Sequence, residues 1–369
     1  MRWLGLYFPE LPLEVRLAGA PADEPAAVTE ARAGRECIVR CNAAARAWGV
    51  RVGQPLPAAL ALVPGLHSRR RDPARERQAL ETLAQWAWQF SSRIVFEPAA
   101  LLLEIGASLR LFGGQERLLR RVASGLSALG HEARWAVAPT PTAAGLLARE
   151  RPASEVDSRQ ALLPLLDRIP LARLTRDARA RRLLRDIGLH SIGDALRLPR
   201  AELARRSGPE LLHHLDRLLG EAPDPRPCWE PPAHFEQAQE LAAEVERAEA
   251  LLFPARRLLL ALCGFLRGRG AATQRLQWRL LHRDGRPPTD FELGLLAPAR
   301  DAEPLLAHLR ERLERLSLPA PVIGLGLRVD DCLPFAERTA GLLPETPQGP
   351  DPAPLERLAV RLGEERLSG

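Results

Sequence analysis

The chain has 369 residues, a length at which one hydrophobic core usually gives way to several, so we expect about two to four packed domains. Hydrophobic residues make up 46% and charged residues 27%, which are ordinary values for a globular protein. No apolar run approaches the roughly 20 residues that a membrane-spanning helix needs. The composition therefore predicts a soluble, multidomain protein with no membrane partner.

The N-terminus and the cysteines both favour the cytoplasm. Residues 2–9 lack the long apolar segment and small-residue cleavage site of a secretory signal. The five cysteines are odd in number and widely spread, as is typical of reduced thiols. Cys37 and Cys41 alone have a ligand-like separation, and because no second Cys or His pair accompanies them we expect core thiols and no metal site.

The charge balance is strongly basic. The net charge is +6, and all 52 basic residues are arginine, with no lysine. Codon bias toward Arg, Ala, Gly and Pro explains most of this composition. The positive excess still attracts phosphate backbones without regard to sequence, as expected of a nucleic-acid partner.

The first 155 residues predict an α+β block. Strands are predicted at residues 3–8, 37–40, 93–96, 101–105 and 134–138. Helices are predicted from Pro12 onward and at residues 42–48, 55–62, 73–90, 115–129 and 142–149. Residues 20–35 are rich in Ala, Pro and Gly and predict a loop.

The remaining chain divides into three segments. Residues 158–219 predict short helices and no strand, which indicates a small all-α domain. Residues 220–233 contain five prolines and predict an extended, semi-rigid linker. From residue 234 onward the order is βαββαβ, which predicts a second α+β domain with helices on one face of its sheet, before a Pro-rich tail.

Three segments resemble motifs of the Y-family, or translesion, DNA polymerases, across about residues 1–330. Residues 41–50, CNAAARAWGV, followed by Gly53 and Pro55, resemble the fingers motif ANYxARxxGV with its trailing GxP. Residues 137–144 resemble a palm segment, and residues 188–196 resemble the helix-hairpin-helix of the thumb. The resemblance implies an α+β multidomain fold divided into a palm-like region (1–20 and 75–157), a fingers-like region (21–74), a thumb-like region (158–222), a Pro-rich linker (223–233), a little-finger-like region (234–330) and a tail (331–369).

The metal-binding carboxylates of that family have no counterpart here. Nucleotidyl transfer uses two divalent cations held by converging carboxylates. The family places them at the positions occupied by Tyr7, Ala99 and Ala100. Glu10 and Glu97 are nearer but do not give a convergent pair. Glu104 lies four residues from Ala100, or roughly 13 Å along a strand, which is too far to bind the same ions. We therefore expect no catalytic residues, no bound metal and no cofactor.

Part of the nucleotide-contacting set remains. Arg46 stands where the family's fingers arginine contacts the triphosphate, and Arg151 is a candidate for the phosphate-binding lysine. The fingers tyrosine is replaced by Ala43, the aromatic steric gate by Pro12 and the palm lysine by Pro141. Arg46 can equally be an exposed helix residue with no role.

Two regions are candidates for DNA contact. A helix-hairpin-helix presents backbone N–H groups to a phosphate, and the candidates for that contact are Gly188, Leu189, Ser191 and Gly193. A Gly-capped helix followed by a Ser-capped one would give the same string. In the little-finger-like region the candidates are Arg267, Arg269, Arg275 and Arg279, with a solvated charged face as the alternative.

Residues 111–114, LFGG, and residues 198–200, LPR, resemble the ImuB group of the Y-family, whose members lack these carboxylates. The resemblance implies a scaffold for primer-template or damaged DNA in damage-induced mutagenesis, with three partners: the sliding clamp, an error-prone replicative polymerase and a RecA-like accessory protein. The clamp-binding candidate is Leu342-Leu343, in a segment that lacks the usual Gln and aromatic residue.

Three functions remain open from the sequence. The first is a non-catalytic DNA-binding adaptor in bacterial DNA damage tolerance. The second is an active, divergent translesion polymerase that requires Mg²⁺, and the third is a simple helix-hairpin-helix binding protein with an inert palm.

Overall fold

The computed structural model describes residues 1–17, 21, 23–174, 182, 186 and 188–335. The strands are β1 Trp3–Tyr7, β2 Ala26–Arg32, β3 Arg35–Cys41, β4 His67–Arg70, β5 Ile94–Glu97, β6 Ala100–Glu104, β7 Arg134–Ala138, β8 Ser154–Glu155, β9 Phe235–Val245, β10 Ala271–His282, β11 Thr289–Ala299, β12 Val322–Val329 and β13 Leu333–Pro334. The α-helices are α1 Leu11–Arg16, α2 Ala43–Ala47, α3 Leu56–Leu62, α4 Pro73–Ala87, α5 Gln115–Ala128, α6 Pro141–Glu150, α7 Arg159–Leu166, α8 Ile192–Arg197, α9 Arg200–Ser207, α10 Pro209–Leu219, α11 Leu252–Arg269 and α12 Ala302–Leu313.

These elements form two compact units. The first comprises residues 1–9, 90–126 and 132–230, and the second comprises the remaining described residues. The predicted α+β fold class is confirmed, as are the five strands and the helices of the first 155 residues and the βαββαβ order after residue 234. The limits of the predicted palm-like, fingers-like, thumb-like and little-finger-like regions stay predictions.

A five-stranded sheet organises the first unit. Its strand order is β5-β6-β1-β7-β8, and β1 lies at the centre, antiparallel to β6 and β7. Helix α6 crosses β1 so closely that a Cβ on Gly5 would lie 2.4 Å from the carbonyl oxygen of Ala144. The core beneath the sheet is continuous with that of the short helices, since Leu102 of the sheet and Leu215 of α10 belong to one buried cluster.

The Pro-rich segment at the end of the first unit is hydrogen-bonded to the sheet. Residues 221–230 form neither helix nor strand, because proline lacks the N–H that regular structure needs. The backbone N–H of Trp229 donates to the carbonyl of Ile94 at 2.7 Å. This part of the segment therefore packs on the sheet instead of acting as a free spacer.

The second unit contains a three-stranded sheet whose central strand the sequence did not predict. Residues 20–35 were expected to form a loop, but Ala26–Arg32 is the central strand of the order β3-β2-β4. The segment is rich in alanine, which is a weak strand former in isolation. Pairing with β3 and β4 buries Ala27 and Val28 completely, so tertiary contacts decide its conformation.

A four-stranded sheet with the order β11-β10-β12-β9 forms the rest of the second unit. The side chains of β10 alternate, so that Leu276 and Trp278 face the core while Arg275 and Gln277 face solvent. Helix α11 packs on α4, where a Cβ on Gly264 would lie 2.7 Å from the carbonyl oxygen of Trp86. All five cysteines are free thiols; Cys41 is buried as expected, whereas Cys37 is partly exposed.

Candidate functional site

The three positions that lack carboxylates lie together in the first unit. Tyr7 of β1 and Ala100 of β6 are direct partners across the antiparallel pair, which places their Cβ atoms about 5 Å apart. Ala99 forms the turn before β6, and its carbonyl accepts a hydrogen bond from the N–H of Phe8 at 2.8 Å. The backbone geometry thus brings the three positions into one place, but the side chains there are a phenol and two methyl groups.

A guanidinium group occupies the space beside Tyr7. Arg149, at the end of α6, has its charged carbon 4.6 Å from the centre of the Tyr7 ring, which is a cation–π distance. It also donates to the carbonyl of Pro98 at 2.7 Å and lies 3.5 Å from the carboxylate of Glu97. A positive charge therefore stands near the positions where polymerases of the family have carboxylates.

A second guanidinium compensates the nearby acids. Arg226 contacts Glu97 at 2.9 Å and Asp224 at 2.8 Å, and it donates to the hydroxyl of Thr142 at 2.7 Å. Asp224 accepts from the backbone N–H and the hydroxyl of Thr142, at 3.1 and 2.6 Å. We call Glu97, Thr142, Arg149, Asp224 and Arg226 the arginine network.

The pKa shifts follow from these contacts. Burial alone would raise the pKa of Asp224, but the hydrogen bonds from Arg226 and Thr142 outweigh it, and the pKa is held below its usual value. Burial would lower the pKa of Arg226, yet its bonds to Asp224 and Glu97 raise it. Burial and the charge of Arg226 lower the pKa of His214. Asp224 and Arg226 are therefore both ionised near neutral pH, and His214 is neutral.

The donor set does not fit a pair of divalent cations. Glu97 and Asp224 both bind Arg226, so their charge is already neutralised. Glu104 accepts from the backbone N–H groups of Arg2 and Gly106 at 3.0 and 3.1 Å, at the far end of β6 from Ala100. In the part of the chain that the structure describes, no group of three or more His, Cys, Asp or Glu residues is placed to hold a metal ion.

The two predicted phosphate-contacting arginines belong to different units. Arg46 is exposed on α2 in the second unit, and Arg151 follows α6 in the first. Within the described ranges, neither guanidinium has a carboxylate partner. Both charges are available to an anion, and their role in binding phosphate stays a prediction.

The four residues predicted for the helix-hairpin-helix contact lie in the turn before α8 and in its first residues. Gly188 has a positive φ of 79°, and Leu189 is buried. Ser191 caps α8 in a capping box with Asp194. The backbone N–H of Gly193 donates to the carbonyl of Asp167 at 3.3 Å. The capping box accounts for Ser191 and Asp194, and the contact of this segment with DNA stays a prediction.

The four little-finger-like arginines differ in their partners. Arg279 forms a two-point ion pair with Asp290, at 2.8 and 3.0 Å. Arg267 binds Asp301 at 2.6 Å, and Arg269 donates to the carbonyl of Pro232 at 3.2 Å. Arg275 is exposed and has no charged partner within the described residues. Of the predicted set, Arg275 has the charge most available to a phosphate.

Sequence reasoning identified Glu97 as a nearby acid but missed Arg149, Asp224 and Arg226. The charged pair Asp224 and Arg226 between prolines was an available signal, because charges in a segment that packs on a sheet need partners or solvent. The clamp-binding candidate Leu342-Leu343 lies outside the described residues.

Comparison with known proteins agrees with the fold. Residues 11–149 match the model of the impB/mucB/samB family. The structures of a Dbh-Dpo4 Y-family polymerase chimera and of an insertion ternary complex of Dbh DNA polymerase each superpose with a TM-score of 0.50 at 16% identity, covering 90% of this chain and 99% of the other. The fold is therefore that of the Y-family DNA polymerases.

Protein ImuB of Caulobacter vibrioides, from strains NA1000 / CB15N and ATCC 19089 / CIP 103742 / CB 15, is 31% identical over 323 residues, which cover 86% of this chain and 70% of the relative. The chain belongs to the ImuB family of Y-family polymerase-like proteins. No helix in the described residues has the length and apolar character needed to cross a membrane.

Proposed function

We propose that this protein is a non-catalytic DNA-binding adaptor in bacterial DNA damage tolerance. The observation that carries the proposal is the replacement of converging carboxylates at Tyr7, Ala99 and Ala100 by an aromatic ring, two methyl groups and the guanidinium of Arg149. Two magnesium ions need negative oxygens to overcome their mutual repulsion. Glu97, the cross-strand partner of Ala100, and Asp224 are both bound by Arg226, so neither supplies a free carboxylate there.

In the adaptor role, the polymerase-like fold binds DNA and partner proteins and catalyses no reaction. A basic chain of this shape binds primer-template or damaged DNA, while the sliding clamp, an error-prone replicative polymerase and a RecA-like protein are its proposed partners. Membership of the ImuB family and the unpaired cations Arg46, Arg151 and Arg275 support this role. In this proposal the protein binds no cofactor and acts in the cytoplasm.

Primer extension by the purified full chain tests the proposal against the active-polymerase alternative. With Mg²⁺ or Mn²⁺, a labelled primer-template and all four nucleotides, we expect no more primer extension than in a heat-inactivated control. The active preparation is expected to retard the same DNA in a gel. Extension that is lost in Glu97→Ala or Asp224→Ala but kept in Glu116→Ala would contradict the proposal. Glu116 is a suitable control because its side chain is 86% exposed.

Co-elution tests the recruitment part separately. The chain, DNA, the clamp and the error-prone polymerase are expected to co-elute, and the polymerase is expected to leave the complex when the chain is omitted. If the polymerase and the clamp assemble equally well without the chain, the adaptor role is wrong even if no extension occurs.

A further inference from the structure

An exposed tryptophan in the second unit takes no part in the site around Tyr7 and Ala100. Trp48 follows α2 and is 66% exposed, although a tryptophan side chain has more apolar surface to bury than any other residue. Val52 lies four residues further along the chain, a Cβ on Gly49 would lie 3.8 Å from a methyl carbon of Leu62, and both side chains are exposed. The exposed Trp48 ring is therefore available to a ligand.

The loop that carries Trp48 is held in place by its backbone. The N–H of Gly49 donates to the carbonyl of Arg46 at 3.0 Å, and the N–H of Gly53 donates to the carbonyl of Ile38 at 2.7 Å. Both glycines have positive φ angles, 87° and 89°, which suit tight turns. Val50, between them, is fully buried. Trp48 is therefore presented on a fixed turn, so little ordering is needed when a ligand binds.

The surroundings of Trp48 are basic. From Cys37 to Arg71 the chain has six arginines and no carboxylate. Arg46 and Arg51 lie two and three residues from Trp48, so their Cα atoms are at most about 8 and 11 Å away. Both are exposed, and neither has a charged partner within the described part of the chain.

We propose that Trp48, flanked by Arg46 and Arg51, is a stacking site for an unpaired base of single-stranded DNA. An aromatic face between cations that contact the phosphates is how proteins bind single strands without reading sequence. In duplex DNA the base faces are already stacked, so this site distinguishes the two forms. The inference rests on the proposed function, because it specifies which form of DNA the adaptor binds in this unit.

Fluorescence anisotropy with the full chain tests the site, using a labelled 20-nucleotide oligo(dT) and a labelled hairpin duplex as probes. Removing one stacked base typically costs about 5- to 100-fold in affinity, so we expect Trp48→Ala to weaken oligo(dT) binding by that range and duplex binding by less than about twofold. Trp48→Phe keeps an aromatic face and is expected to retain most of the affinity.

Matched variants control for the loss of an aromatic or a charge. Phe253→Ala removes an aromatic side chain that is 74% exposed and has the Arg257 guanidinium carbon 5.4 Å from its ring centre. This variant is expected to bind oligo(dT) normally. The double change Arg46→Ala/Arg51→Ala is expected to reduce the slope of log affinity against log salt by about 1.4 for single strands. Arg32→Ala is the control for charge, since Arg32 is paired with Glu30 at 3.3 Å.

The outcomes separate this inference from the proposed function. If the unaltered chain binds neither probe, the proposed DNA-binding function fails. If it binds both and Trp48→Ala binds oligo(dT) equally well, only the stacking site is wrong. Equal losses of affinity for oligo(dT) and for duplex in Trp48→Ala would also overturn it. If Trp48→Ala kept oligo(dT) binding but lost the binding of a protein partner, the surface around Trp48 would be a protein-docking surface instead.

Discussion

Asp224 shows how a single residue connects the Pro-rich segment to the sheet unit. Its side chain is only 6% exposed and accepts bonds from Thr142 and Arg226, which in turn contacts Glu97. Leaving such donors without a partner costs more than the bond itself contributes. The arginine network therefore fixes the chain direction after α10 and also removes free acid from the candidate site.

The stability contribution of Asp224 is predicted to depend on pH. Because its folded pKa lies below the usual value, the stabilisation is present above the unfolded pKa of about 3.9 and is lost as pH falls through the folded pKa. We expect Asp224→Asn to lower the free energy of unfolding by about 1–3 kcal/mol at pH 7. In urea unfolding series the gap to the unaltered chain should narrow below about pH 4. A gap that stays constant down to pH 2, or one no larger than that of the exposed control Glu116→Gln, would contradict the role assigned to Asp224.

Arg275 and Arg279 provide a matched test of the duplex-binding face. Both are exposed on the same face of β10, but only Arg279 is bound by a carboxylate, that of Asp290. Each phosphate contact adds about 0.9 to the salt slope of duplex binding. We expect Arg275→Ala to reduce that slope by about one unit and Arg279→Ala to reduce it by less. The measurement is a salt titration with a hairpin duplex. Equal reductions of the slope in the two variants would show that the ion pair between Arg279 and Asp290 opens on binding. If neither variant changed the slope, this face of β10 would be a solvated charged surface that does not contact DNA.

Among the elements, the contact between α4 and α11 depends most on a missing side chain. A Cβ on Gly264 would lie 2.7 Å from the carbonyl oxygen of Trp86, whereas a Cβ on Gly65 would meet no atom within 4 Å. Backbone cannot move aside as a flexible side chain can. We expect Gly264→Ala to lower the melting temperature by several degrees, as an overpacking cost of about 1–3 kcal/mol implies. Gly65→Ala is the control and should change it little; similar shifts for both would show that the helices are not tightly packed.

Local signals predicted most of the elements but not the arginine network. The apolar runs at residues 3–8 and 101–105 predicted β1 and β6. In the structure these strands pair, and Tyr7 and Ala100 are cross-strand partners. Strand β2 was missed because its alanines carry a weak local preference and pairing decides its conformation. The bond between Glu97 and Arg226 joins residues 129 apart in sequence, and no local pattern indicates such a partner. Ion pairs between distant segments depend on the tertiary fold, whereas a cap such as Ser191 is local and can be read from the sequence.

At the scale of the whole chain, the Y-family polymerase fold is retained, and the positive charge of Arg149 lies beside Tyr7, one of the positions where a carboxylate was expected. The strands that bring Tyr7 and Ala100 together are retained. Glu97, the cross-strand partner of Ala100, is paired with Arg149 and Arg226. In the proposed role, the fold keeps a surface for DNA and partners but does not hold two cations.

Binding of manganese tests this claim most directly. In electron paramagnetic resonance titrations of the full chain with Mn²⁺, a nucleoside triphosphate and a primer-template, we predict only the signal of nucleotide-bound and free ions, unchanged in Glu97→Ala and Asp224→Ala. A spin-coupled pair of manganese ions that appears only with the protein and disappears in either variant would contradict the account.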